Sequence, residues 1–521
     1  MQFTSVSFLL FCAVLLLGYW LLPKKTRWVF LLAGSLFFYL MAGTEYLVFL
    51  ALTAFSTYGC GLLMDRNLQK QETYLRENKQ TLSREEKKAY KAKIKSRNRL
   101  WMALCLVVNF AVLGVCKACL AEPFRTVAQG GSLSFLTVAL PLGISFYMFQ
   151  SMGYVVDIYR TTDQAEKNPL KLLLFVSYFP QMIQGPISRH ADLAPQLTQG
   201  KDFDGKEFSF GLQRLLWGFF KKMVIADRIA VAVAALRGPE YMGVGFFLLT
   251  LFYAVQIYAD FTGGIDMALG ISQALGIRLA ENFIRPFFSK NIAEYWRRWH
   301  ITLGEWMKSY IFYPISVSQP MLKLSKAARN SLGNFGKRLP VYVASIATWL
   351  VTGIWHGITP NFVLWGMMNC FVIVVSEELN PLYEKFHNRF GWKEKKWYGA
   401  FEILRMFLLM NLIRIVDLFP NVGDYFTRMG SLATTFNFRI LADGTMMNLG
   451  LTGLDYGILL FGIALMFGVS LYQEKKGSVR ESLWGRPVLR YILVFVLLVA
   501  VLLLGSYGIG YNASNFIYNQ F

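Results

Sequence analysis

Apolar residues in this chain gather in long windows rather than in the alternating or one-sided patterns of a soluble core. Such windows cover 6–22, 28–43, 46–63, 101–119, 135–156, 246–269, 342–356, 362–375, 401–419, 456–472 and 491–507. A helix that crosses a bilayer needs about 20 apolar residues, so the pattern predicts roughly eleven to thirteen helices at membrane depth, some dipping in without crossing. Polar stretches long enough to stand in water are confined to 65–98 and 196–207, with shorter basic pieces near 325–338 and 381–397. The expected fold class is an all-α polytopic membrane protein. Residues 1–521 read as a single membrane domain: N-terminal helices over 1–130 with a basic loop at 65–99, a core over 131–380, and C-terminal helices with an aromatic tail over 381–521.

Composition agrees with the pattern. The chain is 55% apolar with a mean hydropathy of +0.39, more than a soluble domain with a polar shell carries. A net charge of +21 would suggest nucleic acid in a soluble protein. Here the basic residues fall mainly in short loops between apolar windows, which reads as topology, and no nucleic-acid partner is expected. The run 66–99, with Lys87, Lys88, Lys91, Lys93 and Lys95, and the loop holding Lys24, Lys25 and Arg27 are both expected to be cytoplasmic, and the two agree only if Met1 lies outside, which is the expected orientation. A solvated helical hairpin or a contact with anionic lipid would give the same basic run.

The first window lacks a small-residue cleavage site and is followed at once by more spans, so it is expected to be a retained helix rather than a signal peptide. All six cysteines lie in or beside apolar windows, so no secreted disulfide framework is indicated. Cys116 and Cys119 form a CxxC without a partner pair and read as helix-packing residues. No metal cluster or nucleotide loop is visible.

The middle third differs from both ends. Pro141-Leu-Gly143, 179–186, Asp260-Phe-Thr-Gly-Gly264, 282–286 and Ile358-Thr-Pro-Asn361 interrupt apolar stretches there. Irregular backbone survives at membrane depth only where protein or water satisfies it, so the cluster of breaks argues for a buried cavity, although packing kinks explain any one of them.

Two of the four histidines stand out. Plotted as one helix, 291–310 gathers Glu294, Arg297, Arg298, Glu305 and Lys308 on one face and Trp296, Trp299, Leu303, Trp306, Met307 and Tyr310 on the other. His300 falls on the apolar side of this amphipathic, interfacial helix. A histidine satisfied in a core would look the same. His356 ends the apolar stretch 341–355, with Gly357 and Pro360 as cap and stop. Thr348 and Thr352 precede it on the same face, where a hydroxyl is expected to orient the ring. A neutral imidazole suits general-base work near its ordinary pKa of about 6.5, and acyl transfer from a thioester needs such a base and donors for the oxyanion.

These two segments, Tyr295-Trp-Arg-Arg-Trp-His-Ile-Thr-Leu303 and Thr352-Gly-Ile-Trp-His-Gly357, resemble the histidine motifs of the membrane-bound O-acyltransferase (MBOAT) superfamily, and within it the bacterial alginate O-acetyltransferase group. Pro141-Leu-Gly-Ile-Ser-Phe-Tyr-Met-Phe-Gln150, Asp157-Ile-Tyr-Arg160, Tyr178-Phe-Pro-Gln181 with Gln184-Gly-Pro186, Tyr258-Ala-Asp-Phe-Thr-Gly-Gly-Ile-Asp-Met267, and Asn282-Phe with Arg285-Pro-Phe287 match the same pattern in order. The resemblance implies a ring of tilted transmembrane and re-entrant helices around a central tunnel, with 131–380 as the catalytic core. It also implies that His356 is the catalytic histidine and His300 a supporting or binding one. Trp296, Trp299, Arg298, Asn282, Arg285, Trp355 and Gln181 are the expected tunnel-lining or substrate-binding residues. Asp260 and Asp266 are expected either to line the tunnel or to hold Arg285 or another cation in a structural ion pair.

The chain ends in Phe516-Ile-Tyr-Asn-Gln-Phe521, which is similar to an aromatic tail of cell-envelope members of this family, and Tyr518 thereby becomes a candidate acyl carrier; an interfacial aromatic belt is the alternative. The implied function is O-acetylation of an extracellular or envelope polysaccharide at the bacterial cytoplasmic membrane. Acetyl-CoA is the implied cytoplasmic donor, no cofactor is expected to stay bound, and a serine hydrolase-like extracytoplasmic transferase is the implied partner. D-alanyl or other short-acyl transfer to an envelope polymer is the nearer alternative. A precursor transporter or flippase is the more distant one, although no inverted repeat is visible.

Overall fold

The computed structural model describes residues 4–120, 124–131, 134–137, 140–182, 184–507 and 516. Among the described residues the regular elements are helical, apart from one isolated antiparallel bridge between Phe283 and Trp299. Among the described residues, seven helices are long and apolar enough to cross a membrane: Thr44–Glu77, Arg84–Ala118, Val244–Ala274, Gln319–His356, Pro360–Glu378, Gly453–Lys476 and Pro487–Leu504. Two shorter apolar helices, Val6–Leu21 and Arg27–Leu40, precede them. The chain is an all-α polytopic membrane protein.

Four of the eleven predicted windows are not among these seven spans: 6–22 and 28–43 form the two shorter helices, and 135–156 and 401–419 are interrupted. The 135–156 window breaks at Pro141-Leu-Gly143, and its helix runs instead over Ile144–Arg160. Gly143 has φ +67°, and a Cβ there would stand 2.1 Å from the Met182 carbonyl oxygen, so only glycine fits. The 401–419 window forms the helix Lys396–Arg414 and then tightens into the 3₁₀ turn Ile415–Leu418.

The fold divides into two compact units, Met1–Gly211 with Ala268–Ala280, and Leu212–Met267 with Glu281–Asn519. In the first, Leu47–Glu77 and Arg84–Ala118 form an antiparallel hairpin. Asn67 Nδ2 donates to Asn98 Oδ1 (2.7 Å), Asn109 Nδ2 donates to Ser56 Oγ (3.0 Å), and Tyr74 packs on Tyr90 with ring centroids 4.3 Å apart. At about 1.5 Å per residue these 31- and 35-residue helices are roughly 46 and 52 Å long, well beyond a hydrocarbon core of about 30 Å. The excess carries the basic run. Lys88, Lys91, Lys93 and Lys95 are exposed there, and a Ser83–Glu86 capping box starts the second helix.

The second unit holds an unusual set of buried charges. A π-helical stretch, Phe220–Ala226, carries the adjacent Lys221 and Lys222 toward the helix Val244–Ala274. Lys222 Nζ lies 2.6 Å from Asp260 and 2.8 Å from Asp227, while Lys221 Nζ lies 2.6 Å from Asp266. Six residues of α-helix separate the two aspartates by about 9 Å and turn their side chains roughly 120° apart, which suits two neighbouring lysines that diverge by a similar angle. Arg214 completes the group, bonding Asp266 and, bidentately, Glu281. Removing one member of such a buried pair typically costs about 3–5 kcal/mol, because the other charge is left unpaired.

His356 is positioned by the hairpin of Gln319–His356, which is interrupted at Gly333, and Pro360–Glu378. Glycines let the two helices touch. A Cβ at Gly353 would lie 2.5 Å from the Phe362 carbonyl oxygen, and one at Gly366 would lie 2.4 Å from that of Trp349. Gly366→Val is therefore expected to destabilise the protein by about 1–3 kcal/mol through overpacking. A melting temperature in detergent equal to that of the parent chain would contradict this close approach.

Candidate active site

The stretch 291–310 is not one amphipathic helix. Ile292–Arg298 ends at Trp299, which is extended, and His300 takes the left-handed conformation (φ +47°, ψ +51°) before Ile301–Met307 resumes. A left-handed non-glycine residue costs about 1–2 kcal/mol, and the neighbouring loop holds it in place. The Ile284 amide donates to Arg298 O (2.9 Å) and the Ile301 amide to Asn282 O (3.0 Å). Asn282 Oδ1 accepts from the Thr302 amide (3.1 Å) and hydroxyl (2.9 Å), and lies 3.3 Å from His300 Nδ1. Asn282 thus serves as the cap of the second short helix, which is why periodicity alone could not reveal the break.

The break turns the His300 ring into the interior, edge-on to Phe261 (centroids 5.0 Å apart) and 6.1 Å from Trp355. Trp355 also meets His356, at 4.9 Å, so one indole links the two imidazoles. His356 packs against Trp365 at 4.8 Å, Trp365 against Trp296 at 5.8 Å, and Trp296 against Trp349 at 4.8 Å. Arg414 closes the group, with Cζ 4.4 Å from the Trp299 ring and 5.7 Å from that of Trp365. Both histidines, Arg414, Trp299, Trp355 and Trp365 are buried. The indole N–H groups of Trp296 and Trp365 are buried and find no acceptor within the described protein.

The turn after His356 is fixed. Asn361 Nδ2 donates to the carbonyls of Val416 and Asp417 (both 3.3 Å), and its Oδ1 accepts from the Thr359 hydroxyl. The expected threonine support takes another form: Thr352 Oγ1 donates back to Thr348 O (2.7 Å) and Thr348 Oγ1 to Ala344 O (2.6 Å). Those protons serve the helix backbone rather than the His356 ring.

Of the residues singled out from the sequence, His300, His356, Asn282, Trp296, Trp299 and Trp355 come together here. Arg298 and Arg285 instead share Glu474, at 3.0 and 2.5 Å. Asp260 and Asp266 hold Lys222 and Lys221 rather than Arg285. Gln181 lies in the first unit, bonded to Gln150, Ser188 and the Pro186 carbonyl. Tyr518 lies outside the described residues. The remaining histidines pair elsewhere, His190 with Asp163 and His387 with the Tyr398 hydroxyl. Arg414, Trp349 and Trp365 escaped the sequence reading. A lone arginine deep in the 401–419 window was the available signal for the first.

A polytopic helical membrane protein with two buried histidines joined by tryptophans is the class that fold and site define. The family model for the membrane-bound O-acyltransferase family matches residues 36–416, and the chain belongs to that family. It is 32% identical over 376 residues to the probable alginate O-acetylase AlgI of Azotobacter vinelandii, covering 70% of this chain and 66% of that protein. It is 29% identical over 420 residues to the peptidoglycan O-acetyltransferase of Helicobacter pylori (74% of this chain, 72% of the relative). Over 277 residues it is 27% identical to the teichoic acid D-alanyltransferase of Bacillus subtilis (51% and 65%). The match spans just under two thirds of the Azotobacter protein's length.

Residue 300 lies outside the seven spans. Burial first, and the Arg414 guanidinium second, push its imidazole down from 6.5 to about 3. Between those values the unfolded chain binds more protons than the folded one, so this contribution to stability is complete above about pH 6.5 and is lost as pH falls toward 3. His300→Gln is expected to flatten the acid side of the stability profile measured by melting in detergent between pH 4 and 8. An unchanged slope would show that His300 does not carry it.

Proposed function

We propose that the chain is a membrane O-acyltransferase that takes acetyl from cytoplasmic acetyl-CoA and passes it across the bilayer for O-acetylation of an extracellular or cell-envelope polysaccharide. One observation carries the reading: the two motif histidines of an O-acyltransferase family member meet on one indole, in a buried site with two unpaired N–H donors and a fixed guanidinium. His356 takes the proton from the attacking hydroxyl while that oxygen bonds to the thioester carbonyl carbon. The carbon–sulfur bond then breaks, and the proton passes to the departing thiolate. Trp296 and Trp365 are the donors we assign to the carbonyl oxygen as it gains charge, and Arg414 supplies positive potential in a water-poor site. His300, neutral, holds the Trp355 side of the site.

D-alanyl transfer is the second reading, supported by the likeness to the Bacillus protein. Membership of the acyltransferase family speaks against the transporter reading. In the favoured scheme the N-terminus is outside and a serine hydrolase-like transferase completes delivery to the sugar. Tyr518 is the relay that carries acyl as an aryl ester.

His356→Ala is expected to abolish O-acetyl release by mild base from envelope glycans while the protein still inserts and melts normally. Full glycan acetylation in cells carrying only that variant would end the proposal. For Tyr518, intact-mass measurement of the C-terminal peptide should find an added acyl group that disappears in Tyr518→Phe together with transfer. Undiminished transfer by that variant would remove the tyrosine from the scheme.

A further inference from the structure

Lys222 is buried deeply, with its side chain only 1% exposed, yet its ammonium faces more than its two carboxylates. The ring of Phe516, itself buried, is centred 4.4 Å from Nζ. This is well within the distance over which a cation is attracted to an aromatic face, and the attraction is strongest where water is excluded. The contact does not stand alone. The helix Pro487–Leu504 ends beside the same segment, where Arg228 Nη2 donates to Leu504 O (2.6 Å) and Arg228 Nη1 holds Asp455 (2.9 Å). Two residues on, the Ser506 amide donates to Met223 O (2.9 Å). The end of the last helix, the start of the tail and the tail's phenylalanine thus meet residues 228, 223 and 222 in turn.

We propose that Lys222, fixed between Asp227 and Asp260, is a docking site for the chain's own C-terminal aromatic segment, with Phe516 as the anchoring ring. The two aspartates hold the ammonium in one place, and the π-helical stretch presents it. Leucine at 516 would fill similar volume without a negative ring face, so the site selects an aromatic side chain over an aliphatic one. The inference does not depend on what the protein transfers, because docking is read without any acyl donor.

Lys222→Met would leave two buried carboxylates without their shared cation and is expected to fold poorly, so the decisive series keeps Lys222 and changes only the ring. Full-length protein carrying phenylalanine, 4-fluoro-, 3,5-difluoro- or 3,4,5-trifluorophenylalanine at 516 is exposed in detergent to a broad-specificity protease, and loss of the C-terminal segment is timed by intact mass. Each added fluorine drains the ring face while hardly changing its size. When opening and closing are fast relative to cleavage, the cleavage rate follows the population of undocked tail. The rate is expected to rise stepwise, on the order of tenfold from phenylalanine to the trifluoro ring. Phe516→Leu should match the trifluoro protein and Phe516→Trp should stay protected. A flat series, or Phe516→Leu as resistant as the parent chain, would overturn the proposal by showing that the contact is merely apolar.

Discussion

Within a bilayer, a helix that stops or bends exposes amide and carbonyl groups that lipid cannot satisfy, so each break has to be met by another part of the protein. Both histidines of the site sit at such breaks. The Trp299–His300 break is met by the 282–284 segment, above all by the Asn282 side chain. The turn after His356 is met by Asn361, which reaches the carbonyls of 416 and 417. The left-handed backbone at His300 and the helix end at His356 each turn a ring inward, and the two asparagines tie these places to neighbouring segments. Loss of Asn282 would leave the Thr302 amide without its acceptor and the left-handed turn at His300 without its support.

The same constraint governs charge, and the protein meets it in two ways. Lys221, Lys222 and Arg214 are matched to carboxylates on neighbouring segments, so their role is local neutrality. Arg414 is treated differently. Asp417 is 3.9 Å away, and the Trp299 and Trp365 rings are centred 4.4 and 5.7 Å from its guanidinium carbon. Its positive potential reaches the histidine site. It is one of the two causes that keep His300 unprotonated.

How much of this was legible in the sequence follows from the range of each interaction. Apolar windows located most of the spans because crossing a bilayer is a local property of some twenty residues. The motif residues located both histidines and three of the tryptophans that surround them. What the windows and the helical wheel missed was set from a distance. The break at His300 depends on an asparagine 18 positions earlier in the chain. Asp260 and Asp266 were recognised as ion-pair candidates, but their partners lie some 40 residues upstream, on a π-helical stretch that a period of 3.6 cannot represent. Arg414 stood in plain view as a charge within an apolar window, yet the rings it lies against, Trp299 and Trp365, come from distant parts of the chain.

These observations limit how the proposed transfer can work. His356 ends a helix that is locked to its neighbour through Gly353 and Gly366, and the following turn is tied to a third segment. His300 is held by a cap and by rings on several sides. Neither imidazole has the slack to swing between an acyl donor and an acceptor: His300 is tied to Asn282, and His356 is packed between the Trp355 and Trp365 rings. If acyl groups pass through this site, the motion belongs to whatever carries them. Within this chain, the segment after the last helix meets residues 223 and 222 through the Ser506 amide and the Phe516 ring, and the proposed relay requires that segment to move. A rigid base calls for a carrier that docks and leaves, which is why the strength of the Phe516 contact matters as much as its position.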